Sequence, residues 1–233
     1  MLLRVRVTLP DRPGTLGQVA RTLGVSGADI VQVIVLERLG GRAVDDFTVV
    51  WPGAARVERL LTGLAAIPGV QVDGVWRAIG APTTTGQDAE LLAQVAANPA
   101  DGLATLVDAV PGLLAAEWAV AAVVPVDWAS PTGGSGATVG HASWRTPVSP
   151  RLPEVTPLRA RSMTMPDGGH FAVAPFGRAG LVLVVSRDHS QTLAPAAFHS
   201  TEVDRLAQLV RASAVILGDR LDLIGTPPFS AHP

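Results

Sequence analysis

Six residues near the start of the chain, Asp11-Arg12-Pro13-Gly14-Thr15-Leu16, have the types and spacing to hold a small anion without any catalytic side chain. A chain that leaves a strand, bends through Asp-x-Pro-Gly and enters a helix presents backbone N–H groups that have no partner inside the helix. Gly14 has no Cβ, so a ligand can come close to that backbone. Those amides and the positive end of the helix dipole suit a carboxylate. The competing reading is a plain strand-to-helix turn with Asp11 as its capping residue.

Other polar residues offer less. Asp29 follows Gly27-Ala28 and opens a second strand; it can accept an ammonium group or simply stabilise the turn before it. Asp45 and Asp46 are adjacent on a strand, so their side chains point to opposite faces and cannot act on one substrate. A solvated edge or a salt bridge is the expectation for them. His141, His170, His189 and His199 match no compact metal-ligand spacing, and Asp188-His189 lies near no Gly-x-Ser-x-Gly nucleophile turn. Gly133-Gly134-Ser135-Gly136 is followed by no Lys-Ser/Thr and reads as a flexible loop. Arg159 and Arg161 alternate on one strand face, where they could meet an anion or line a solvent face. The five tryptophans, Trp51, Trp76, Trp118, Trp128 and Trp144, are scattered without basic interleaving, as core or interface anchors are.

The elements that must position the first loop are legible from periodicity. Leu3, Val5, Val7 and Leu9 alternate with Arg4, Arg6 and Thr8, which reads as a strand over 2–9. Leu16, Val19, Ala20 and Leu23 read as a helix over 14–25. A strand over 28–38 is apolar on both faces in its middle, the pattern of a strand covered on both sides. Gly40-Gly41 supplies a hairpin turn to a strand over 43–51. A helix over 54–67 and a strand over 70–78 complete a βαββαβ order, the ferredoxin-like unit.

Residues 80–87 read as a linker. Beyond it the chain is Ala-rich, with helices expected over 88–97 and 99–110, the second capped by Asn98 with Pro99 in its first turn. Strands follow over 118–125, 138–144, 158–163, 170–176 and 181–187, the last two joined through Gly177-Arg178-Ala179-Gly180. A helix over 200–221 is expected to be capped by Ser200 or Thr201. The Pro/Gly/Ser-rich stretches 127–137 and 146–157 read as loops, and 225–233 as a disordered tail.

Composition narrows the function classes. Of 233 residues, 48% are apolar and 16% charged, with net charge −2 and no basic block, so the footprint of a nucleic-acid binder is missing. Residues 1–78 carry nine arginines against seven acids and the remainder nine against thirteen, an asymmetry too mild to imply a polyanionic partner. All 18 basic residues are arginine, which excludes Schiff-base chemistry and a P-loop lysine. Cysteine is absent, which excludes disulfides, a thiolate nucleophile and cysteine-based zinc sites. No stretch has signal-peptide or membrane-spanning length, so a cytoplasmic protein without membrane contact is expected.

The first 79 residues resemble the ACT domain, a small-molecule-binding regulatory module. The likeness rests on Asp11-x-Pro13-Gly14-x-Leu16, the spacing to Gly27-Ala28-Asp29-Ile30, Asp45-Asp46-Phe47 on the third strand, and the complete βαββαβ order. It implies an amino-acid ligand, held where the loop of Asp11, Arg12, Pro13, Gly14, Thr15 and Leu16 meets Asp29, Ile30 and Val31, within one chain or from a neighbouring copy. Asp29 stands where Asn is often found, and its charge favours an ammonium. Residues 88–224 resemble a GAF- or PAS-like sensory domain, an antiparallel sheet flanked by helices. The expectation is an α+β regulatory protein without a catalytic centre or cofactor, binding a small molecule as a homodimer and passing a signal to a partner the residues do not name. An enzyme with its site in the second domain, and a dimerisation module without ligand, stay open as alternatives.

Overall fold

The computed structural model describes residues 1–53, 56–79, 86–125, 136–154, 157–178, 180–187 and 193–224. Most of the expected linker, Trp128, Gly133 to Ser135, Ala179, Asp188-His189 and the tail from Gly225 lie outside the described residues. The protein is mixed α+β, with two antiparallel sheets and five α-helices among the described residues. It divides into two compact units, Met1–Pro82 with Asp188–Ala196, and Thr83–Arg187 with Ala197–Pro233.

The first unit runs β1 (Leu2–Pro10), α1 (Thr15–Val25), β2 (Asp29–Leu39), β3 (Arg42–Val50), α2 (Val57–Ala65) and β4 (Gln71–Arg77). The sheet order is β2-β3-β1-β4, every pair antiparallel. Alternation does the sorting: Leu3, Val5, Val7 and Leu9 are buried with Phe47 and Val49 of β3 against Val19 and Leu23 of α1 and Leu60 and Leu64 of α2. Gly40 and Gly41, at φ 60° and 75°, make the two-residue turn between Leu39 and its partner Arg42.

Two features of this unit depart from the sequence reading. β2 was expected to be covered on both sides, yet it is the edge strand of the sheet. Val31, Val33 and Val35 are 42%, 40% and 52% exposed, because the helices cover the edge strand only in part: Ile30 packs on the core and the valines beyond it do not. The outer edge of β4 meets residues 193–196, a segment remote in sequence that was assigned to the second domain. The Val75 amide donates to the Ala194 carbonyl at 2.8 Å. A Cβ on Gly74 would stand 2.3 Å from the Ala196 nitrogen, so only glycine lets the segment lie there.

The second unit runs α3 (Gln87–Ala97), α4 (Gly102–Leu114), β5 (Trp118–Val123), β6 (Thr138–Ala142), β7 (Arg161–Thr164), β8 (His170–Pro175), β9 (Leu181–Arg187) and α5 (Ser200–Leu217), closed by a 3₁₀ turn, Gly218–Leu223. The sheet order is β6-β5-β9-β8-β7. Every residue of β9 is buried, as a continuous apolar run between two covered faces requires. One face packs Leu183 and Val185 on Leu106, Val110, Leu206 and Val210 of the helices. The other holds Trp118 edge-on to Phe171, ring centroids 5.9 Å apart, with Val173 and Val184.

Both expected helix caps in this unit are displaced. Asn98 does not begin the second helix: its side chain donates to Asp101 at 2.8 Å, and the Asp101 amide returns to its carbonyl, closing a turn that delays α4 to Gly102. Helix α4 then runs through Pro111 to Leu114. At α5 the cap is His199, not Ser200 or Thr201; its ring nitrogen accepts from the Thr201 amide, while the Glu202 carboxylate accepts from the His199 amide at 2.8 Å. Among the described residues no helix is long and apolar enough to cross a membrane.

Candidate functional site

The end of β1 delivers the first loop in a defined shape. The Asp11 amide still donates to the Gly41 carbonyl, at 2.8 Å, so the ladder runs one residue past Pro10. The Arg12 amide then turns back to Pro10 and the Thr15 amide to Arg12. Gly14 takes φ 92°, in the left-handed region, and a Cβ there would meet nothing within 4 Å. Helix α1 starts without a side-chain cap. The amides of Leu16 and Gly17 have no partner among the described residues, so two donors face outward beside an open glycine.

Asp11 is therefore not a capping residue. Its carboxylate takes a two-pronged contact from Arg38 at the end of β2, Nε to Oδ2 at 3.0 Å and NH2 to Oδ1 at 2.7 Å. That pairing holds the Asp11 carboxyl below its ordinary value and the Arg38 guanidinium above its own. The contact pins the loop to the hairpin end of the sheet. Arg12, Pro13 and Leu16 are exposed, and Thr15 is buried under the loop.

Within one chain the loop does not meet Asp29, Ile30 and Val31. Asp29 pairs with Val50, which pairs with Leu2 at the start of β1; the loop follows Pro10, whose partner Arg42 faces Leu39. Eight residues of strand separate the two ends, about 26 Å at ~3.3 Å per residue. Asp29 and Val31 are exposed and Ile30 is half-buried. Val31 is the extra residue of a bulge between Ile30 and Gln32.

Asp45 is the polar residue that pattern reading misjudged. It was expected at a solvated edge or in a salt bridge, but β3 lies inside the sheet, and Asp45 stands opposite Val7 and Val35 on the helix-covered face, 2% exposed. Its Oδ1 is buried and has no hydrogen-bond partner among the described residues. Asp46, on the other face, is the salt-bridged one of the two, with Arg6 Nε at 2.7 Å from Oδ1 and Arg6 NH2 at 2.8 Å from Oδ2. The only signal in the sequence was the alternation itself, which assigns Asp45 to the face of Val7 and Phe47.

Burial pushes the Asp45 carboxyl above the usual carboxylate range; the charges of Asp11 and Asp46 push the same way, and Arg38 opposes them. The folded chain thus holds this proton more tightly than the unfolded chain. The stability linked to it is complete below the ordinary carboxylate value of about 4 and falls as pH rises through the folded value. Asp45→Asn is expected to unfold at higher urea than the natural chain at pH 7, with the difference closing toward pH 4. Equal midpoints across that range, measured by urea titration, would show that the buried charge is compensated.

In the second unit the candidate groups stay apart. His141 contacts Asp108 at 3.1 Å and lines a cavity of about 200 Å³ with Asp101, Arg220 and Leu221. His170 contacts Thr164 at 2.9 Å, and His199 caps α5. Arg161 is half-buried and reaches the Pro157 carbonyl, while Arg159 precedes the strand and is exposed. No group of three or more acidic or histidine residues among the described ones could hold a metal ion.

The residue that sequence reasoning missed altogether is Arg187, at the end of β9 and 1% exposed. Its guanidinium donates to the carbonyls of Leu114 at 2.6 Å and Ala115 at 3.3 Å, pairs with Glu202, and lies over the Phe198 ring at 4.0 Å. It joins the end of α4 to the start of α5. Its role is architectural, and no spacing in the sequence announces it.

No family model matches the chain, and no curated protein matches it. Among solved structures, a formyltetrahydrofolate deformylase from Pseudomonas putida KT2440 is similar over 41% of this chain at 16% identity and a TM-score of 0.29. The chain spans 37% of that protein's length. An unknown protein from Galdieria sulphuraria is similar over 93% of both chains, at 13% identity and a TM-score of 0.30.

Proposed function

We propose that this protein is an amino-acid-responsive regulator, in which an ACT-like first unit of ferredoxin-like order binds the ligand and a GAF-like second unit belongs to the signalling apparatus, with no catalytic step. The observation that carries the reading is the open Gly14 followed by the unpartnered amides of Leu16 and Gly17. Main-chain donors at a helix start favour a carboxylate. The ammonium end of the ligand is assigned to Asp29 of a second copy. Two β2 strands paired antiparallel about their centre bring Asp29 of one copy opposite Leu39 of the other, next to the Asp11–Arg38 contact. The exposed Val31, Val33 and Val35 and the uncovered strand edge are the surfaces such pairing would bury. The ligand then favours the paired state through its differential affinity for it.

The test is a thermal-shift screen over the proteinogenic amino acids. A ligand present at a hundredfold excess over its Kd adds about 2.7 kcal/mol to the native state, or roughly 5–10 °C for a chain of this size. Gly14→Val should lower the unliganded melting temperature, since the left-handed backbone costs an L-residue about 1–2 kcal/mol, and should lose the ligand-induced shift. Sedimentation should report a dimer with ligand. If no amino acid raises the melting temperature while the dimer persists, the first unit is a dimerisation module; if Gly14→Val keeps the shift, the loop is not the site.

A further inference from the structure

A second site lies on the helix side of the first unit, away from the Gly14 loop. Helices α1 and α2 pack side by side and approach closely at Gly63: a Cβ there would come within 2.9 Å of Thr22 Cγ2. Beside that contact lies an open groove of about 1010 Å³. Arg21 and Val25, one turn apart on α1, form one wall. Arg56, at the entry to α2, and Arg59 and Gly63 on it, three and four residues further along in turn, form the other.

The charges in this groove are uncompensated. Among the described residues the side chains of Arg21, Arg56 and Arg59 make no ion pair or hydrogen bond; the one contact between two of them is from the Arg59 amide to the Arg56 carbonyl, at 3.2 Å. The contrast within the same unit is direct, because Arg4 and Arg6 are matched by Asp46 and Arg38 by Asp11. Among the described residues no acid lines the groove; Glu58, in the same turn of α2, is absent from its walls and pairs with none of the three. Thr22 and Ser26 also line it, but their hydroxyl protons are donated back to the carbonyls of Gln18 and Thr22, at 3.0 and 2.9 Å. The free donors of the groove are therefore the three guanidiniums. Like charges on neighbouring helix surfaces repel one another weakly in water, and a shared counter-charge relieves that repulsion.

We propose that the α1–α2 groove binds a compact polyanion bearing phosphoryl groups. Guanidinium forks match phosphate oxygens in pairs, and three of them suit a ligand of two or three negative charges. Among the described residues no aromatic lines the groove, so a nucleobase finds nothing to stack on, and three charges are too few for the extended footprint of a nucleic acid. This site is independent of the amino-acid reading, and either can fail alone.

The experiment is calorimetric titration of the full chain with inorganic pyrophosphate, with citrate as a carboxylate polyanion of similar size. Binding of pyrophosphate below about 1 mM, weakened at least tenfold by Arg56→Gln/Arg59→Gln with an unchanged melting temperature, is the expected result. Binding should weaken steeply with added salt, and Arg59→Lys should recover only part of it. Absence of saturable binding up to about 10 mM, or equal binding by the double variant, overturns the site. Citrate binding as tightly as pyrophosphate overturns the phosphoryl assignment.

Discussion

Arg187→Ala is expected to destabilise the second unit by about 3–5 kcal/mol. The substitution removes the donors to the Leu114 and Ala115 carbonyls at the end of α4 and leaves Glu202, 6% exposed, without its cation. A buried carboxylate stripped of its partner is costlier than the pair was worth, because desolvation of the survivor is no longer offset. Both contacts of the His199–Glu202 capping box remain, so α5 keeps its cap while losing its anchor to β9. Urea unfolding measures the effect, with the midpoint falling at constant slope. Arg187→Lys should restore only a fraction, since a single ammonium cannot span two carbonyls and a carboxylate as a planar fork does. The paired change Arg187→Met/Glu202→Leu should recover most of the loss, which separates an unpaired charge from lost packing. An alanine variant that unfolds at the natural midpoint would mean that Glu202 is neutralised by another route.

Asp46→Ala is expected to produce a loss of similar size in the first unit, about 3–5 kcal/mol. Asp46 is fully buried and answers two guanidiniums, Arg6 through both oxygens and Arg4 at 3.4 Å. Arg4 and Arg6 are themselves 5% and 3% exposed, and Arg4 Nε is already without a partner. Removing the carboxylate leaves two buried cations; the contact of Arg6 over the Trp76 ring at 5.4 Å offsets only a small part. Asp46→Asn keeps one acceptor and the side-chain volume, so it should fall between the alanine variant and the natural chain. Thermal unfolding at two salt concentrations checks the cause: screening acts weakly on a buried pair, so the loss should persist at high salt. A loss that vanishes in salt would place the pair in contact with water.

The contrast between Asp45 and Asp46 shows what local pattern can and cannot decide. Alternation correctly sends adjacent carboxylates to opposite faces. It says nothing about whether a face is covered, because coverage depends on where the helices land. The same limit explains β2. Its two-sided apolar run was a sound reason to expect two covered faces, and it became an edge strand because the sheet order β2-β3-β1-β4 ends there. His199 as the cap of α5 was missed because histidine seldom takes that place, while Asn98 has the preferred chemistry and was drawn into a turn with Asp101.

The sequence by itself determined the succession of strands and helices, the Gly40-Gly41 hairpin, the bend at Pro13-Gly14 and the chemistries excluded by the lack of lysine and cysteine. These are local matters, decided within a few residues by backbone sterics, side-chain period and composition. Only the tertiary structure decided that residues 193–196 return to the edge of β4, that Arg187 ties α4 to α5, and that Arg21, Arg56 and Arg59 face one groove. Each joins residues distant along the chain. Such contacts are selected by how whole elements pack and by which buried charges find partners, and neither quantity is carried by any short stretch of residues.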